Sequence, residues 1–287
     1  MKTEKLYQTY KPLLFSLAYR MLGSVMDAED IVHEAFLLLE KADPSEEIHD
    51  IKAYLCKIVT NRSIDTLRSA AKKREVYIGT WLPEPLVEEY SDDPSSFYMT
   101  KESISTAYLL LLQQLTETER IVFLLREMFQ YNYDEIASIV GKSSTNCRQI
   151  FHRAKKGISH NPNSVKQDFG QLSGYVEKFT QAVQDGNISE VLALLKKDAI
   201  YYSDGGGKVT AAIRPVYGAE YISRFFLGVI TKIPEDFSLK FAKVNGNPGM
   251  ILYSSGKVKY VLSFEMNDAK IESIYMVANP DKLRHIK

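Results

Sequence analysis

The stretch from Tyr133 to Lys156, YDEIASIVGKSSTNCRQIFHRAKK, limits what this chain can fold into more than any other segment. Its apolar residues recur at helical spacing and stop at Gly141, a residue that readily takes the left-handed backbone conformation of a helix end. Ser143 or Ser144 can then cap a second helix by accepting a hydrogen bond from a free backbone N–H group. The sequence therefore predicts two short helices joined by a tight turn.

The second of these helices combines a narrow apolar stripe with an outer face that is basic and rich in amides. Arg and Lys suit phosphates and guanine edges, and Asn and Gln suit adenine, so this face fits the major groove of DNA. A solvated basic helix is the plainer alternative. A preceding helix that opens on a capping box of Thr116 and Glu119 supports the first interpretation. The candidate DNA-binding residues are Ser144, Asn146, Arg148, Gln149, His152 and Arg153.

Length, charge and cysteine content narrow the alternatives further. The 287 residues suffice for about two domains, and the formal net charge of +0 requires any affinity for nucleic acid to come from local basic faces. Cys56 and Cys147 lack metal-ligand spacing, so we expect two buried, reduced thiols. The sequence shows no signal peptide and no apolar run of membrane-spanning length. These features predict a cytoplasmic protein that needs no cofactor and no metal.

The residues before position 43 predict two amphipathic helices that separate near Gly23, with Asp27 as the cap of the second. The outer face of this second helix is acidic. Such a face can complement the N-terminus of its own helix, or it can form a docking surface for a basic partner. Charge alone favours the first of these interpretations.

A longer helix is predicted from Ile51 to about Arg74, and most of its charged residues are basic. Asn61, Asp65 and Arg68 share one face of it, so they can either bond each other or read bases. Aromatic side chains near this basic surface can stack on unpaired bases or simply pack in a core. These side chains belong to Tyr54, Tyr77 and Trp81.

The segments YRMLGSVMDAEDIVHEAF and KAYLCKIVTNRSIDTLRS and the helix-turn-helix follow one another in this order. Together they resemble regions 2 and 4 of sigma-70-type RNA polymerase sigma factors of the extracytoplasmic-function group, over roughly residues 5 to 160. The resemblance implies that the acidic helix docks on core RNA polymerase. It also implies that the helix from Ile51 reads the promoter −10 element through extruded non-template bases, and that the helix-turn-helix reads the −35 element as duplex.

The same resemblance assigns residues to these surfaces. Those implied in polymerase binding are Asp27, Glu29, Asp30, Ile31, Glu34 and Phe36, and those implied at the −10 element are Asn61, Arg62, Asp65 and Arg68. One departure from the pattern is FQYN, which stands before Tyr133 where many helix-turn-helix segments carry Gly. Asn132 can take a positive backbone angle there, so the departure is a minor one.

The chain changes character after residue 160. Two helical segments precede strand-like runs at 199–203, 209–213, 237–244, 250–253, 258–264 and 271–277, which are interrupted by a helix from about Ala219 to Lys232. This order predicts an α+β cone and resembles the SnoaL-like, nuclear-transport-factor-like fold. The expected fold is thus multidomain, with two all-α sigma modules and a cone. The predicted divisions are region 2 at 1–76, a linker at 77–103, region 4 at 104–160, a linker at 161–171 and the SnoaL-like regulatory domain at 172–287.

Three motifs, YIGTWLPEPL, DGGGK and NPDKL, resemble those of the sigma-factor subgroup that carries a SnoaL-like extension. For that subgroup the extension is understood to modulate sigma activity in cis. Prolines at 83, 85 and 94 argue against regular structure in the first linker, yet its apolar residues predict docking on a folded domain. We expect DGGGK to contact this linker. The candidate regulatory residues are Trp81, Leu82, Pro83, Glu84, Pro85, Asp204, Gly205, Gly206, Gly207 and Lys208.

Two rival functions remain open at this stage. The cone could house an enzyme, with a pocket formed by Asp204, Tyr201, Tyr202, Tyr217 and Tyr275, although the only histidine of that domain is His285 near the C-terminus. Alternatively, the chain could be a helix-turn-helix repressor whose cone binds an unknown small ligand. The sigma-factor interpretation accounts for more of the sequence, because it alone gives a role to the acidic helix. Its expected partners are core RNA polymerase and promoter DNA, both duplex and melted, with no membrane.

Overall fold

The computed structural model describes residues 2–42, 48, 50–74, 76–88, 104–158, 169–234 and 236–286. Contacts within the chain divide it into two compact units. The first unit contains the helices before residue 75 and those between 108 and 158, and the second contains 76–88, 105–107 and 169–286. Residues 89–103 of the first predicted linker, and most of the second, lie outside the described residues. Among the helices that are described, none combines the length and the apolar character required to cross a membrane.

Three helices form the N-terminal part of the first unit: α1 (Lys2–Leu22), α2 (Val25–Lys41) and α3 (Ile51–Arg74). Their apolar stripes meet in a core that includes the fully buried Leu14, Leu17 and Leu55. The predicted cap of α2 was wrong. Gly23, at φ 68°, ends α1. Ser24 is the cap of α2, which begins at the next residue, and its side chain accepts a hydrogen bond from the Asp27 N–H. Asp27 therefore lies within the first helical turn rather than before it.

Four further helices follow: α4 (Thr106–Gln113), α5 (Glu117–Glu127), α6 (Tyr133–Val140) and α7 (Ser144–Gly157). All of them belong to this unit except the first two residues of α4. The capping box of Thr116 and Glu119 opens α5, Gly141 closes α6 at φ 66°, and Ser143 caps α7. The predicted helix-turn-helix is therefore present at α6 and α7, with the turn chemistry that its sequence indicates.

Asn132 does not use the positive backbone angle that its residue type allows. Its φ is −73°, and its side chain instead caps α6 in a second capping box, with Glu135. The positive φ falls on Gln130, at 55°, because the N–H groups of Phe129 and Tyr131 both return to carbonyls of α5 and force the turn between them.

The two groups of helices pack together within this unit. The buried guanidinium of Arg120 on α5 donates to the carbonyls of Met21 at the end of α1, Leu112 (2.8 Å) and Leu115 (3.3 Å). The Tyr131 hydroxyl, which precedes α6, contacts the Cys56 sulfur on α3 at 3.5 Å. Burial raises the pKa of both groups, which keeps the thiol and the phenol neutral in this contact.

The second unit is an α+β domain with one seven-stranded sheet. Its helices are α8 (Phe169–Gln184), α9 (Ile188–Leu194) and α10 (Ala219–Ile230), and a 3₁₀ turn spans Pro280–Lys282. Its strands are β1 (Val87–Glu88), β2 (Leu195–Asp204), β3 (Val216–Tyr217), β4 (Phe237–Val244), β5 (Asn247–Ser254), β6 (Lys257–Asn267) and β7 (Lys270–Val277), in the order β1-β4-β5-β6-β7-β2-β3. All neighbours are antiparallel except β2 and β7, which are parallel. The helices cover one face of this sheet over a core centred on Tyr201, Phe179 and Phe264.

Two predictions about this unit were wrong. The run at 209–213 is not a strand, because the glycines before it turn the chain and the N–H groups of Lys208 and Val209 both return to the Gly205 carbonyl. The linker does contain regular structure, since Val87 and Glu88 pair with β4 and extend the sheet at its edge. Two of its prolines, at 83 and 85, lie before this pairing, where they remove no ladder hydrogen bond, and the third, at 94, lies outside the described residues.

Replacing the buried arginine of the first unit tests how strongly it joins the helices. We expect Arg120→Met to lower the free energy of unfolding by about 2 to 4 kcal/mol, because three carbonyls lose a charged donor. Urea unfolding followed by far-ultraviolet circular dichroism would measure this loss. Arg153→Met, at an exposed position on α7, is the matched control and should change it by less than about 0.5 kcal/mol. Equal effects of the two substitutions would contradict a structural role for Arg120.

Candidate functional site

The outer face of α7 is exposed and contains no acidic residue. Cys147, Ile150, Phe151 and Ala154 point inward and are buried. The predicted residues Asn146, Arg148, Gln149, His152 and Arg153 are all exposed, and Ser144 is half-buried at the first turn. The six candidate DNA-binding residues thus all lie on one helix, and five of them are exposed. Free N–H groups at the start of α7 add a partial positive charge to this surface.

The basic face of α3 is also exposed, and Asn61, Arg62, Asp65 and Arg68 all reach solvent. Arg62 forms an ion pair with Glu34 on α2 at 2.7 Å, with about half of each side chain accessible. An exposed pair of this kind adds little stability, so it restrains Arg62 only weakly. The pair nevertheless joins one candidate −10 residue to one candidate polymerase-binding residue.

The acidic face of α2 separates into two groups of side chains. Asp27, Glu29 and Asp30 are exposed, and Glu34 is half-buried. Ile31 and Phe36, at 6% and 4% exposure, belong to the core. The structure therefore leaves most of the acidic residues exposed to solvent, whereas these two apolar residues hold the helix in place.

The linker and the cone meet at a buried carboxylate. Asp204 is fully buried at the end of β2. One of its oxygens accepts hydrogen bonds from the Tyr77 hydroxyl and from the Gly206 N–H at 3.0 Å. The other accepts from the Leu82 N–H at 2.8 Å and from the Lys282 ammonium at 2.7 Å. Its backbone carbonyl accepts from the N–H groups of residues 278 and 279. Every acceptor position of the carboxylate is therefore used, which buried charge requires.

Lys282 completes this arrangement from the opposite side. Its ammonium also donates to the Leu82 carbonyl, and it lies 3.9 Å from the centre of the Trp81 ring and 5.1 Å from that of Tyr77. Asn279 donates to the Tyr77 hydroxyl at 2.9 Å. Burial, together with the bond to Asp204, raises the pKa of the Tyr77 phenol and keeps it a donor. We call the five residues Tyr77, Leu82, Asp204, Asn279 and Lys282 the Asp204 hub.

Each of the three consecutive glycines, 205 to 207, occupies a position that disfavours a larger residue, for steric or backbone reasons of its own. A Cβ on Gly205 would lie 2.5 Å from the Val209 carbonyl oxygen, and one on Gly206 would lie 2.2 Å from the Asn279 amide. Gly206 and Gly207 also have positive φ angles, of 58° and 69°. Alanine is strained at both angles. The loop therefore requires more glycine than a simple hairpin does. This excess of glycine was the sequence signal that singled out DGGGK.

The other candidate regulatory residues surround the hub. Pro83, Glu84 and Pro85 are buried beside Leu82, and Lys208 pairs with the Asp281 carboxylate on the surface. The hydrogen bond from Lys208 holds the pKa of Asp281 below its usual range. Sequence reasoning singled out NPDKL as a motif but assigned no role to Lys282. Its surroundings in the sequence, ANPDKLRHIK, are polar and charged, so no sequence signal marks this lysine as buried.

Tyr77 and Trp81 are therefore packing residues of the second unit, which is the alternative to base stacking that the sequence left open. The five residues proposed for an enzyme pocket do not converge. Tyr201 is buried against Phe225 and Phe226 inside the cone, whereas Tyr202 stacks on Tyr275. Tyr217 is exposed on β3 near Tyr202, and Asp204 is fully bonded within the hub.

A crevice beside α8 also falls short of a ligand site. It is lined by Phe169, Val176, Phe241 and Pro248 among others, and its volume is about 110 Å³. Pockets for drug-sized molecules usually exceed about 300 Å³. The interior of the described cone is filled by the aliphatic and aromatic side chains of its own core.

Comparison with known proteins agrees with this organisation. Residues 6–73 match the family model for Sigma-70 region 2, and residues 105–157 match that for Sigma-70, region 4. The chain is 32% identical to the ECF RNA polymerase sigma factor SigJ of Mycobacterium tuberculosis, over 96% of this chain and 91% of that one. It is 25% identical to the probable ECF RNA polymerase sigma factor SigI of the same species, over 96% and 93% of the two chains.

A solved structure supports the same relationship. The crystal structure of M. tuberculosis extracytoplasmic function sigma factor SigJ superposes with a TM-score of 0.78 at 28% identity, and the alignment covers 97% of each chain. The predicted fold class, with two helical sigma modules followed by a SnoaL-like α+β cone, is confirmed.

Neutralising the buried carboxylate tests whether the ion pair holds the linker. We expect Asp204→Asn to lower the free energy of unfolding of the second unit by about 3 to 5 kcal/mol, because it leaves the Lys282 charge buried without its partner. The chain has a single tryptophan, Trp81, and it contacts that lysine, so its fluorescence reports on the docked linker. Its emission should shift to longer wavelength in the variant. Asp281→Asn, at the surface, should leave emission and stability nearly unchanged, and emission that is equally unchanged in Asp204→Asn would contradict the role of the pair.

Proposed function

Because the chain belongs to the extracytoplasmic-function RNA polymerase sigma factors, we propose that two exposed helical faces divide promoter recognition between them and that the cone modulates their use in cis. As a member of this family, the protein binds core RNA polymerase and directs it to promoters. The observation that carries the proposed division is the exposure of both basic faces, on α3 and on α7, together with the acidic face of α2. We place this activity in the cytoplasm, where core polymerase and DNA are found.

Core polymerase is proposed to bind the acidic face of α2. Asp27, Glu29 and Asp30 supply exposed negative charge, which favours a basic partner surface and fast association. Glu34 contributes from the same face once its exposed ion pair with Arg62 is broken. Ile31 and Phe36 act indirectly, because their burial fixes the orientation of the helix.

The face of α3 is proposed to bind the −10 element as melted DNA. Asn61, Asp65 and Arg68 can donate to and accept from the exposed edges of extruded bases, and Arg62 can contact a phosphate. The face of α7 is proposed to bind the −35 element as duplex, with Arg148, Gln149 and Arg153 closest to the bases. Helix-turn-helix proteins place their second helix in the major groove in this way.

The packing of the first unit implies that the two faces have to separate before both can be used. Elements centred at −10 and −35 lie about 25 base pairs apart, or ~85 Å of duplex at ~3.4 Å per base pair. While Tyr131 contacts Cys56, helical rise places Arg68 about 18 Å from Cys56 and Arg153 at most about 45 Å from Tyr131. The closed unit therefore falls short of promoter spacing. Free protein is expected to bind promoters weakly until polymerase holds the two modules apart.

The cone is proposed to act through the Asp204 hub. The hub fixes one register of the linker, because Leu82 bonds to it through both its N–H and its carbonyl. A linker held in one register has fewer free residues to span the distance between the two DNA-reading modules. The cone therefore modulates which spacing between promoter elements the sigma factor accepts. The enzyme and repressor alternatives receive no comparable support from the described residues.

The division of labour can be tested on a single promoter with core polymerase present. We expect Arg148→Ala and Arg153→Ala to weaken binding of closed duplex by roughly 5- to 100-fold each, as loss of base or phosphate contacts does. Arg68→Ala should leave that binding nearly intact and lower permanganate reactivity of melted thymines instead. Lys178→Ala, on the exposed face of α8, is the control. Loss of melting alone in the first two variants would reverse the proposed assignment.

The regulatory role of the loop can be tested with glycine substitutions. We expect Gly206→Ala to broaden the range of spacer lengths that support transcription in vitro, because its new Cβ displaces Asn279 and loosens the hub. Output from promoters with non-optimal spacers should rise several-fold relative to the optimum. Gly228→Ala is the matched control, since that glycine lies in α10 with no atom near its Cβ position. An unchanged spacer profile in a folded Gly206→Ala protein would contradict the proposal.

A further inference from the structure

One aromatic ring of the helix-turn-helix contacts two arginines from different helices. The Arg126 guanidinium of α5 lies 4.9 Å from the centre of the Tyr133 ring, and the Arg148 guanidinium of α7 lies 5.1 Å from it. Both distances are within the range of a cation–π interaction. Tyr133 begins α6, so this one ring connects three helices around the proposed reader Arg148.

The ring is held firmly in place. Tyr133 follows the Asn132 cap of α6, whose capping box is complete, so the backbone of the first turn is fixed. The ring is half-buried and meets Phe151 edge to face, at 6.2 Å between centroids and 67° between planes. Phe151 in turn stacks on Phe123 of α5. The Tyr133 ring is therefore part of a packed aromatic cluster, and it offers a fixed surface to a flexible side chain.

Arg126 is restrained on the other side of the contact. Its guanidinium donates to the Tyr131 carbonyl at 2.9 Å, which fixes its position beside the ring. Two guanidinium groups attracted to the same ring bring positive charge together at one edge of the helix-turn-helix. Like charges held close to each other repel, and an incoming phosphate would relieve this repulsion.

This arrangement lowers the conformational entropy that the Arg148 side chain loses on binding. A free arginine side chain loses much of its rotational freedom when it binds, which weakens binding. Stacking on Tyr133 uses the flat face of the guanidinium and leaves the N–H groups on its edge available to guanine or phosphate. The ring can therefore restrict the side chain before DNA arrives without occupying the atoms that read it.

We propose that Tyr133 is a positioning residue that pre-orients Arg148 for the −35 element. Arg126 holds a second positive charge against the same ring. The inference rests on the proposed role of Arg148 as a reader. It adds two residues that lie outside the exposed face of α7. The ring, rather than the tyrosine hydroxyl, carries the effect.

The test uses holoenzyme assembled from core polymerase and the full-length chain. The probe is a duplex that the wild-type holoenzyme selects from a randomised pool, compared with the same duplex scrambled upstream. We expect Tyr133→Leu to reduce the ratio of the two affinities by about 3- to 10-fold, the range of a lost cation–π contact and its ordering effect. Tyr133→Phe keeps the ring and should keep the ratio. Affinity for the scrambled duplex should remain the same in both Tyr133 variants.

A double-mutant cycle separates positioning from direct contact or loss of folding. In an Arg148→Ala background, Tyr133→Leu should have no further effect, whereas in an Arg153→Ala background its full effect should remain. Additive losses with Arg148→Ala, or a loss in Tyr133→Phe, would overturn the inference. If Arg148→Ala itself leaves the affinity ratio unchanged, the proposed reader role of Arg148 fails. If Arg148→Ala lowers the ratio and Tyr133→Leu does not, only the positioning role fails.

Discussion

The second unit depends on the burial of one charged pair, Asp204 with Lys282. Removing both charges from water costs several kcal/mol per ion, and the cost is offset only when the remaining donors and acceptors are satisfied. Here the partners come from three distant parts of the sequence, namely 77–82, 204–206 and 278–282. The segment before β1 therefore forms part of the folded domain, and the domain cannot complete its own electrostatics without that segment.

Chain connectivity gives this dependence a functional consequence. Only two residues separate Arg74, the last residue of α3, from Tyr77 in the hub. Three peptide steps reach about 11 Å at full extension. The free segment between the proposed −10 helix and the docked linker can therefore be no longer than this. Regulation in cis needs such a limit, because a fully flexible linker would transmit no information between domains.

Local features of the sequence predicted most of the fold, and contacts between distant residues account for the failures. The capping box at Thr116 and the end of α6 at Gly141 depend on neighbouring residues, and both were predicted correctly. The strand at Val87 and Glu88 was missed because its partner, β4, lies over 150 residues later in the chain. Lys282 was missed for the same reason, since its sequence context does not show that Asp204 and Trp81 surround it.

The choice of an ion pair over an apolar contact bears on how spacing is controlled. A buried ion pair often stabilises a protein no more than well-packed apolar residues would, so its contribution here lies in geometry. An apolar contact tolerates a linker that slips by a residue, whereas the oxygen shared by the Leu82 N–H and the Lys282 ammonium does not. Slippage would leave a buried charge or amide unpaired. The hub therefore fixes the number of linker residues on each side of it, and the proposed control of promoter spacing depends on that number.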